Sequence, residues 1–189
     1  MAARRRHGGH AVKIVVTGPF AAGKTTLIRT ISEITVLSTD RSISDDDKDR
    51  KPQTTVAMDF GRISIDPDLV LYLFGTPGQE RFDFMWEILG EGMLGYVLLI
   101  DVEDPDTLVD AARILDTFRG FARVPFVVAL NRAFRHDQAL DHRVRNALSL
   151  GPEIPVVPCD ATAKDSVKEV LLALLYAALE ELEAEAAHA

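Results

Sequence analysis

Short apolar runs alternate with segments of helical length from residue 12 onward. The runs AVKIVVTG, TVAMDFGRISI, LVLYLFG, LGYVLLI, PFVVALN and PVVPC predict six strands. This alternation is typical of a layered α/β domain whose sheet is mostly parallel. The turn of Asp66, Pro67 and Asp68 between the second and third runs is too short for a parallel crossover, so this pair is predicted to be antiparallel.

About five helices are predicted between and after these strands. They cover about 24–34, 81–90, a segment that begins at Asp106 or Thr107, 137–148, and the final segment DSVKEVLLALLYAALEELEAEAA. The polar stretch LSTDRSISDDDKDRKPQ shows no helical or strand periodicity of apolar residues and is predicted to be a loop. We expect a disordered basic leader at 1–10, one domain at 11–180, and the acidic end of the last helix at 181–189.

Composition limits the environment and the partners. A chain of 189 residues buries enough surface for one core, and the lone Cys159 cannot form an internal disulfide. The net charge of −8 argues against a nucleic-acid surface. With no run of signal-peptide character and no run long enough to span a membrane, we expect a cytoplasmic protein. The cluster Arg4, Arg5, Arg6 and His7 allows at most weak or indirect membrane association.

The segment GPFAAGKT carries the clearest chemistry. It matches G-x-x-x-x-G-K-[ST], directly after a predicted strand and before a predicted helix. Glycines permit a loop whose backbone N–H groups converge on phosphate oxygens, a lysine adds positive charge for the β- and γ-phosphates, and a threonine hydroxyl is a ligand for Mg²⁺. The pattern predicts a P-loop nucleotide binder and leaves kinases, ATPases and GTPases open. The predicted binding residues here are Gly18, Phe20, Ala21, Ala22, Gly23, Lys24, Thr25 and Thr26.

A second stretch, GTPGQERF at 75–82, separates these classes. With the phosphate loop, it resembles the Ras-like small GTPases, and more narrowly their bacterial branch with the gliding-motility polarity GTPase and the actinobacterial conservon GTPases. The resemblance covers about residues 11–180. It implies a three-layer P-loop NTPase fold, the small G-domain, with one antiparallel strand in a six-stranded sheet. It also implies GTP or GDP as ligand and Mg²⁺ as cofactor.

The same resemblance assigns roles in the two switch segments. In the switch II motif D-x-x-G-Q-E, Gly78 offers its N–H to the γ-phosphate, and Gln79 orients the attacking water beside the catalytic charge of Lys24. The family aspartate is replaced by Gly75, so one carboxylate near the metal is missing. Thr55 corresponds to the switch I threonine that joins Thr25 on Mg²⁺, and Thr54 is the alternative.

The base-reading segments depart further from the family. Guanine selectivity rests on N-K-x-D, and this chain has Asn131 and Arg132 followed by Phe134 in place of the aspartate. Asp137 could supply the missing carboxylate if the chain turned back. The segment PCDATAK resembles the S-A-K loop, with Asp160 in register and Ala161 offering its N–H to guanine O6. Guanine is favoured, and adenine is left open.

The resemblance therefore predicts a small GTPase that switches between GTP and GDP states. Hydrolysis is expected to be slow and partner-assisted, because Phe20 crowds the cradle and no built-in arginine is assigned; Arg50, Arg62 and Arg81 are candidates by sequence proximity alone. Expected partners are an effector, an activating or exchange protein, and a small dimeric adaptor. The alternatives are a nucleotide-gated interaction module with little hydrolysis or relaxed base choice, and a P-loop kinase or ATPase.

The predicted helix at 81–90 has more apolar residues than one buried face requires. They are Phe82, Phe84, Met85, Trp86, Ile88 and Leu89. Some of them are expected to form a patch that contacts a partner, with Trp86 as the residue to test.

Overall fold

The computed structural model describes residues 10–38, 58–78, 84–104, 106–133, 135 and 137–188. Twelve helices and strands lie in these ranges. In chain order they are β1 His10–Thr17, α1 Lys24–Ile31, β2 Leu37–Ser38, β3 Asp59–Asp66, β4 Leu69–Gly75, α2 Phe84–Gly90, β5 Gly95–Asp101, α3 Thr107–Phe121, β6 Phe126–Asn131, α4 Gln138–Ala147, β7 Val156–Cys159 and α5 Lys164–His188.

The strands form one sheet in the order β2-β3-β4-β1-β5-β6-β7. β3 is antiparallel to both of its neighbours, and the other pairs are parallel. The predicted α/β fold with a mostly parallel sheet is confirmed, and so is the antiparallel pair at the Asp66–Asp68 turn. The described sheet has one strand more than predicted, because Leu37 and Ser38, assigned to the loop, pair with Phe60 and Asp59.

Two apolar layers enclose the sheet. One face packs against α1 and α5, and the other against α2, α3 and α4. β1 serves both layers because its side chains alternate: Ile14 and Val16 belong to the first layer and Val15 to the second. Every residue of β5 is buried, as expected for a central parallel strand.

Some element limits differ from the prediction. α1 ends at Ile31, three residues early, because Ser32 has extended backbone and its Oγ accepts a hydrogen bond from Arg62 N at 3.2 Å. His10, assigned to the leader, begins β1. α5 continues to His188, and its last buried residue is Ala178. Within the described ranges, none of the helices is long and apolar enough to cross a membrane.

Strand order determines where a ligand can bind. β1 has β4 on one side and β5 on the other, so the chain crosses from one half of the sheet to the other at this strand. In open α/β sheets, ligands bind beyond the carboxyl ends of strands at such a crossing point. Residues 18–23, between β1 and α1, lie at this position.

Candidate nucleotide-binding site

The loop after β1 has the backbone that a phosphate cradle needs. Gly18 and Gly23 have φ values of 145° and 100°, and Ala21 between them has a φ of 61°. A Cβ at Gly18 would lie 2.1 Å from Leu99 O, and one at Gly23 would lie 2.5 Å from Asn131 Nδ2. Both glycines are therefore required by conformation and by space.

Lys24 begins α1 and is buried, with 8% of its surface exposed. Its Nζ donates hydrogen bonds to Gly18 O at 2.7 Å and to Pro19 O at 2.6 Å. Burial lowers the pKa of Lys24 to about 8, and the nearby negative charge of Asp59 partly opposes this shift. The loop thus holds a partly desolvated ammonium group, whose charged form an arriving polyphosphate would stabilise.

A carboxylate that the sequence motifs do not include lies beside the cradle. The Thr25 hydroxyl donates a hydrogen bond to Oδ2 of Asp59, which is 9% exposed. The other carboxylate oxygen, Oδ1, is buried without a hydrogen-bond partner among the described residues. A buried carboxylate oxygen without a donor is costly, and a bound cation or its water would satisfy it.

Asp59 lies directly opposite Gly75 in the antiparallel pair of β3 and β4. A Cβ at Gly75 would be 3.1 Å from Asp59 Cβ and 3.3 Å from Asp59 Oδ2. The Asp59 side chain therefore fills the space next to Gly75, the position where the resembling family has its aspartate. The sequence did hold a signal: Asp59 is two and four residues before Gly61 and Ile63, so it shares their core-facing side.

The second motif begins against the first. Thr76 N donates to Val16 O at 2.9 Å, and its hydroxyl donates to the Thr17 hydroxyl at 3.0 Å. A Cβ at Gly78 would lie 2.8 Å from both Lys24 Nζ and Phe20 N. The structure thus brings Gly78 next to the phosphate loop, and the contact of its N–H with the γ-phosphate stays a prediction. Gln79, Thr54 and Thr55 lie outside the described residues, and their roles stay predictions.

The remaining loop residues differ in exposure. Phe20 is 68% exposed at the rim of the cradle, and Ala21 and Thr26 are also exposed, whereas Ala22 is fully buried. An exposed phenylalanine at this rim is compatible with the predicted crowding of the terminal phosphate, which stays a prediction.

The prediction that Trp86 contacts a partner is wrong. Trp86 is fully buried and its ring lies 5.9 Å from that of Phe118 in α3, centre to centre. The short helix α2 turns this side toward α3 and leaves Phe84 and Ile88 exposed at 64% and 65%. Among the described residues of the predicted patch, Phe84 and Ile88 are exposed, Met85 is half-buried, and Leu89 is buried like Trp86.

Asn131 links the cradle to the predicted base loops. Its Nδ2 donates to Ala22 O at 2.9 Å, and its Oδ1 accepts from Arg132 N and Ala161 N at 3.0 Å each. The side chain is buried, so these bonds hold three separated segments at the carboxyl edge of β6. The predicted contact of the Ala161 N–H with guanine stays a prediction, and in this structure that N–H donates to Asn131.

The charged residues of the base loops have local partners. Arg132 Nη1 lies 2.8 Å from Glu103 Oε2 and 3.4 Å from Asp101 Oδ2, at the end of β5. The carboxylate of Asp160 accepts hydrogen bonds from the hydroxyl and the N–H of Thr162, which hold the pKa of Asp160 below its usual value. Phe134 lies outside the described residues.

Asp137, the alternative base reader, instead caps α4. Its Oδ1 accepts from Ala139 N at 2.9 Å and from Leu140 N at 3.3 Å. We expect Asp137→Ala to lower the free energy of unfolding by about 1 kcal/mol, as loss of an N-cap does, and to leave the ratio of GTP to ATP affinity unchanged. Urea denaturation and calorimetric titration measure the two effects. A selective loss of GTP affinity would contradict the capping role.

The described residues offer a limited ligand set for a metal. No group of three or more His, Cys, Asp or Glu side chains that could hold an ion occurs among them. The fit to Mg²⁺ depends instead on the Thr25 hydroxyl, the orphaned Oδ1 of Asp59 and phosphate oxygens of a bound nucleotide. Mg²⁺ prefers oxygen ligands and commonly binds through one or two protein groups together with phosphates, so the residues present fit this ion.

Comparisons with known proteins agree with this chemistry. Residues 16–181 match the model of a family described as "Conserved hypothetical ATP binding protein". The uncharacterized protein MJ1339 of Methanocaldococcus jannaschii is 29% identical over 123 residues, which cover 64% of this chain and 70% of the archaeal protein. These matches support a nucleotide-binding P-loop protein and do not single out the bacterial Ras-like branch that the motifs resemble.

Proposed function

Because the chain belongs to the family of conserved hypothetical ATP binding proteins, we propose that residues 18–25 bind a nucleoside triphosphate and that the protein switches between triphosphate and diphosphate states. One observation carries this proposal. Gly78 lies against Lys24 Nζ and Phe20 N, so the second motif contacts the loop at the side where the motif pattern expects the terminal phosphate. Binding or loss of the terminal phosphate would therefore affect the loop and the second motif at the same time.

The chain's own groups account for phosphate binding. Backbone N–H groups of the cradle and of the first turn of α1 would donate hydrogen bonds to the β-phosphate oxygens, and Lys24 would supply positive charge. The hydroxyl of Thr25 and the carboxylate of Asp59 would hold Mg²⁺, with Thr55 as the further predicted ligand. Bound Mg²⁺ would neutralise phosphate charge. In this proposal the carboxylate of Asp59 does the work of the family aspartate, whose position is occupied by Gly75 in this chain.

We propose GTP as the nucleotide, because of the resemblance of the motifs to the small GTPases and because hydrogen bonds of the Asn131 side chain hold Ala161 and the cradle residue Ala22 next to each other. ATP is the second candidate. The family description favours it, and so does Phe134, which removes the carboxylate that would reject adenine.

Slow hydrolysis is part of the proposal. Gln79 is the residue proposed to orient water, and no arginine of the chain is assigned to the transferring phosphoryl group. Arg62 is three residues from Asp59 in β3, so its side chain lies on the opposite face of the sheet. An activating partner, such as a small dimeric adaptor, would supply the missing charge, and an effector would bind the triphosphate state.

Calorimetric titration of nucleotide-free protein with GDP, a non-hydrolysable GTP analogue and the matching ATP analogue, with and without Mg²⁺, tests the binding proposal. We expect the guanine nucleotides to bind at least tenfold more tightly than the adenine analogue. Tighter binding of the ATP analogue would support the second candidate. Absence of binding by any of them would overturn the function.

Single-turnover release of phosphate tests hydrolysis separately. We expect slow release by the protein alone and slower release still by Gln79→Leu, because the water-orienting amide is removed. Fast release by the protein alone that survives this substitution would contradict the proposed role of Gln79 and the need for a partner.

A further inference from the structure

The indole of Trp86 donates a hydrogen bond to the segment that carries Gly78. Its Nε1–H donates a hydrogen bond to Pro77 O at 3.1 Å, and the side chain is fully buried. The ring packs on Phe118, whose own ring lies 4.9 Å from that of Tyr96 in β5. The Pro77 carbonyl is therefore held by a hydrogen bond from Trp86, nine residues later in the chain, whose ring is part of the core next to α3.

This bond acts on the Gly78 N–H through the geometry of the peptide unit. The Pro77 carbonyl and the Gly78 N–H belong to one planar group, and the described peptide bonds are all trans, so the two point in opposite directions. Fixing the direction of the carbonyl therefore fixes that of the N–H. The plane is also held from the other side, because Thr76 is bonded to Val16 and Thr17.

We propose that Trp86 is a positioning residue that orients the Gly78 N–H for the terminal phosphate of the nucleotide. The inference rests on the proposed function and adds to it the residue that sets selectivity for triphosphate over diphosphate. Glycine at 78 permits many backbone conformations, so without the indole the peptide plane can rotate away from the cradle. The diphosphate does not reach this N–H and is unaffected.

The test compares Trp86→Phe with Phe118→Leu. Both variants disturb the same aromatic cluster, but Phe118→Leu leaves the hydrogen bond to Pro77 in place. Calorimetry with GDP and a non-hydrolysable GTP analogue in Mg²⁺ gives the ratio of the two affinities, and thermal unfolding reports stability. If the protein selects adenine, the adenine pair is used.

We expect Trp86→Phe to reduce the triphosphate affinity about tenfold and to change the diphosphate affinity less than twofold. Phe118→Leu is expected to lower the melting temperature and keep the wild-type ratio. A wild-type ratio in Trp86→Phe, or an equal drop of the ratio in Phe118→Leu, would overturn the positioning role. Wild-type protein that binds neither nucleotide overturns the proposed function itself, and this inference with it.

An isosteric replacement guards against a variant that fails to fold. Benzothienylalanine at position 86 keeps the shape of the ring and lacks the N–H, so it should lower the ratio as Trp86→Phe does without loss of stability. Trp86 is also the one tryptophan of the chain, so wild-type emission reports this contact directly. We expect the emission to change with the triphosphate analogue more than with GDP, and identical spectra would count against the proposal.

Discussion

Replacing Lys24 with methionine is expected to lower nucleoside triphosphate affinity about a thousandfold while leaving the nucleotide-free protein at least as stable at pH 7. The ammonium group would make charge-assisted hydrogen bonds to two phosphates, each worth roughly 1.5 to 3 kcal/mol. Methionine has similar length and restores none of them. Calorimetric titration measures the affinity, and Lys168→Met, which replaces a half-exposed lysine paired with the exposed Asp165 on α5, is the matched control.

Lys24→Met is expected to lower nucleotide affinity but not the free energy of unfolding, because the ammonium group that it removes is buried. The pKa of Lys24 is lowered from 10.5 to about 8 in the folded protein. Below pH 8 the folded state carries a desolvated charge, so Lys24 destabilises it; the penalty fades as the pH rises toward 10.5, where the unfolded chain also loses its proton. The wild type should therefore gain roughly 2 to 3 kcal/mol relative to Lys24→Met between pH 7 and pH 10.

The same proton controls binding. Since the phosphates require the ammonium form, the affinity of the wild type should fall as the pH rises above 8, and the weak binding of Lys24→Met should not follow this profile. Denaturant unfolding at several pH values and titration at the same pH values check both effects. A Lys24→Met protein that binds the triphosphate as tightly as the wild type would contradict the phosphate cradle.

The second large effect concerns Asp59 and Gly75. Asp59→Asn is expected to reduce the Mg²⁺-dependent part of triphosphate affinity by 10- to 100-fold, because an amide holds Mg²⁺ or its water far less well than a carboxylate. In EDTA the variant and the wild type should differ little. Asp68→Asn, which alters an exposed carboxylate in the turn between β3 and β4, is the control. An unchanged Mg²⁺ dependence in Asp59→Asn would remove Asp59 from the site.

A swap of the two residues makes this test sharper. Gly75→Asp alone should destabilise the protein, because its Cβ would lie 2.9 Å from Ile28 Cδ1 and 3.1 Å from Asp59 Cβ and would add a second carboxylate. Asp59→Gly in the same chain removes that carboxylate and opens the space. The double variant should regain stability and Mg²⁺ dependence relative to either single variant. Additive losses would show that the two positions do not share one carboxylate role.

Features encoded by neighbouring residues were predictable. The glycine spacing of residues 18–23 and the following lysine indicated a strand, a tight loop and a helix, and the structure has β1, the loop and α1 in that order. The Asp66–Asp68 turn indicated an antiparallel pair because its length excludes a crossover. In each case the constraint acts within a few residues, through backbone sterics or chain length.

Features that depend on contacts between distant segments of the chain were not predictable. Asp59 reaches Thr25 across 34 residues, and its position opposite Gly75 follows from the pairing of β3 with β4. The helix of Trp86 carries apolar residues on more than one face, so the sequence pattern did not show which face is buried. Packing against α3 buries the face with Trp86. Arg132 and Asp137 carried charges suited to a base site, whereas the ends of β5 and α4 supplied them with nearer partners.

Local sequence pattern therefore specified the sheet-and-helix arrangement and the phosphate loop, since hydrophobic period and glycine conformation act over a few residues. Packing in three dimensions selects the carboxylate that lies beside Thr25, the face of α2 that is buried and the groups that hold the base loops together. Those outcomes depend on contacts between segments that are distant in the chain, and a pattern of residue types does not specify their distances.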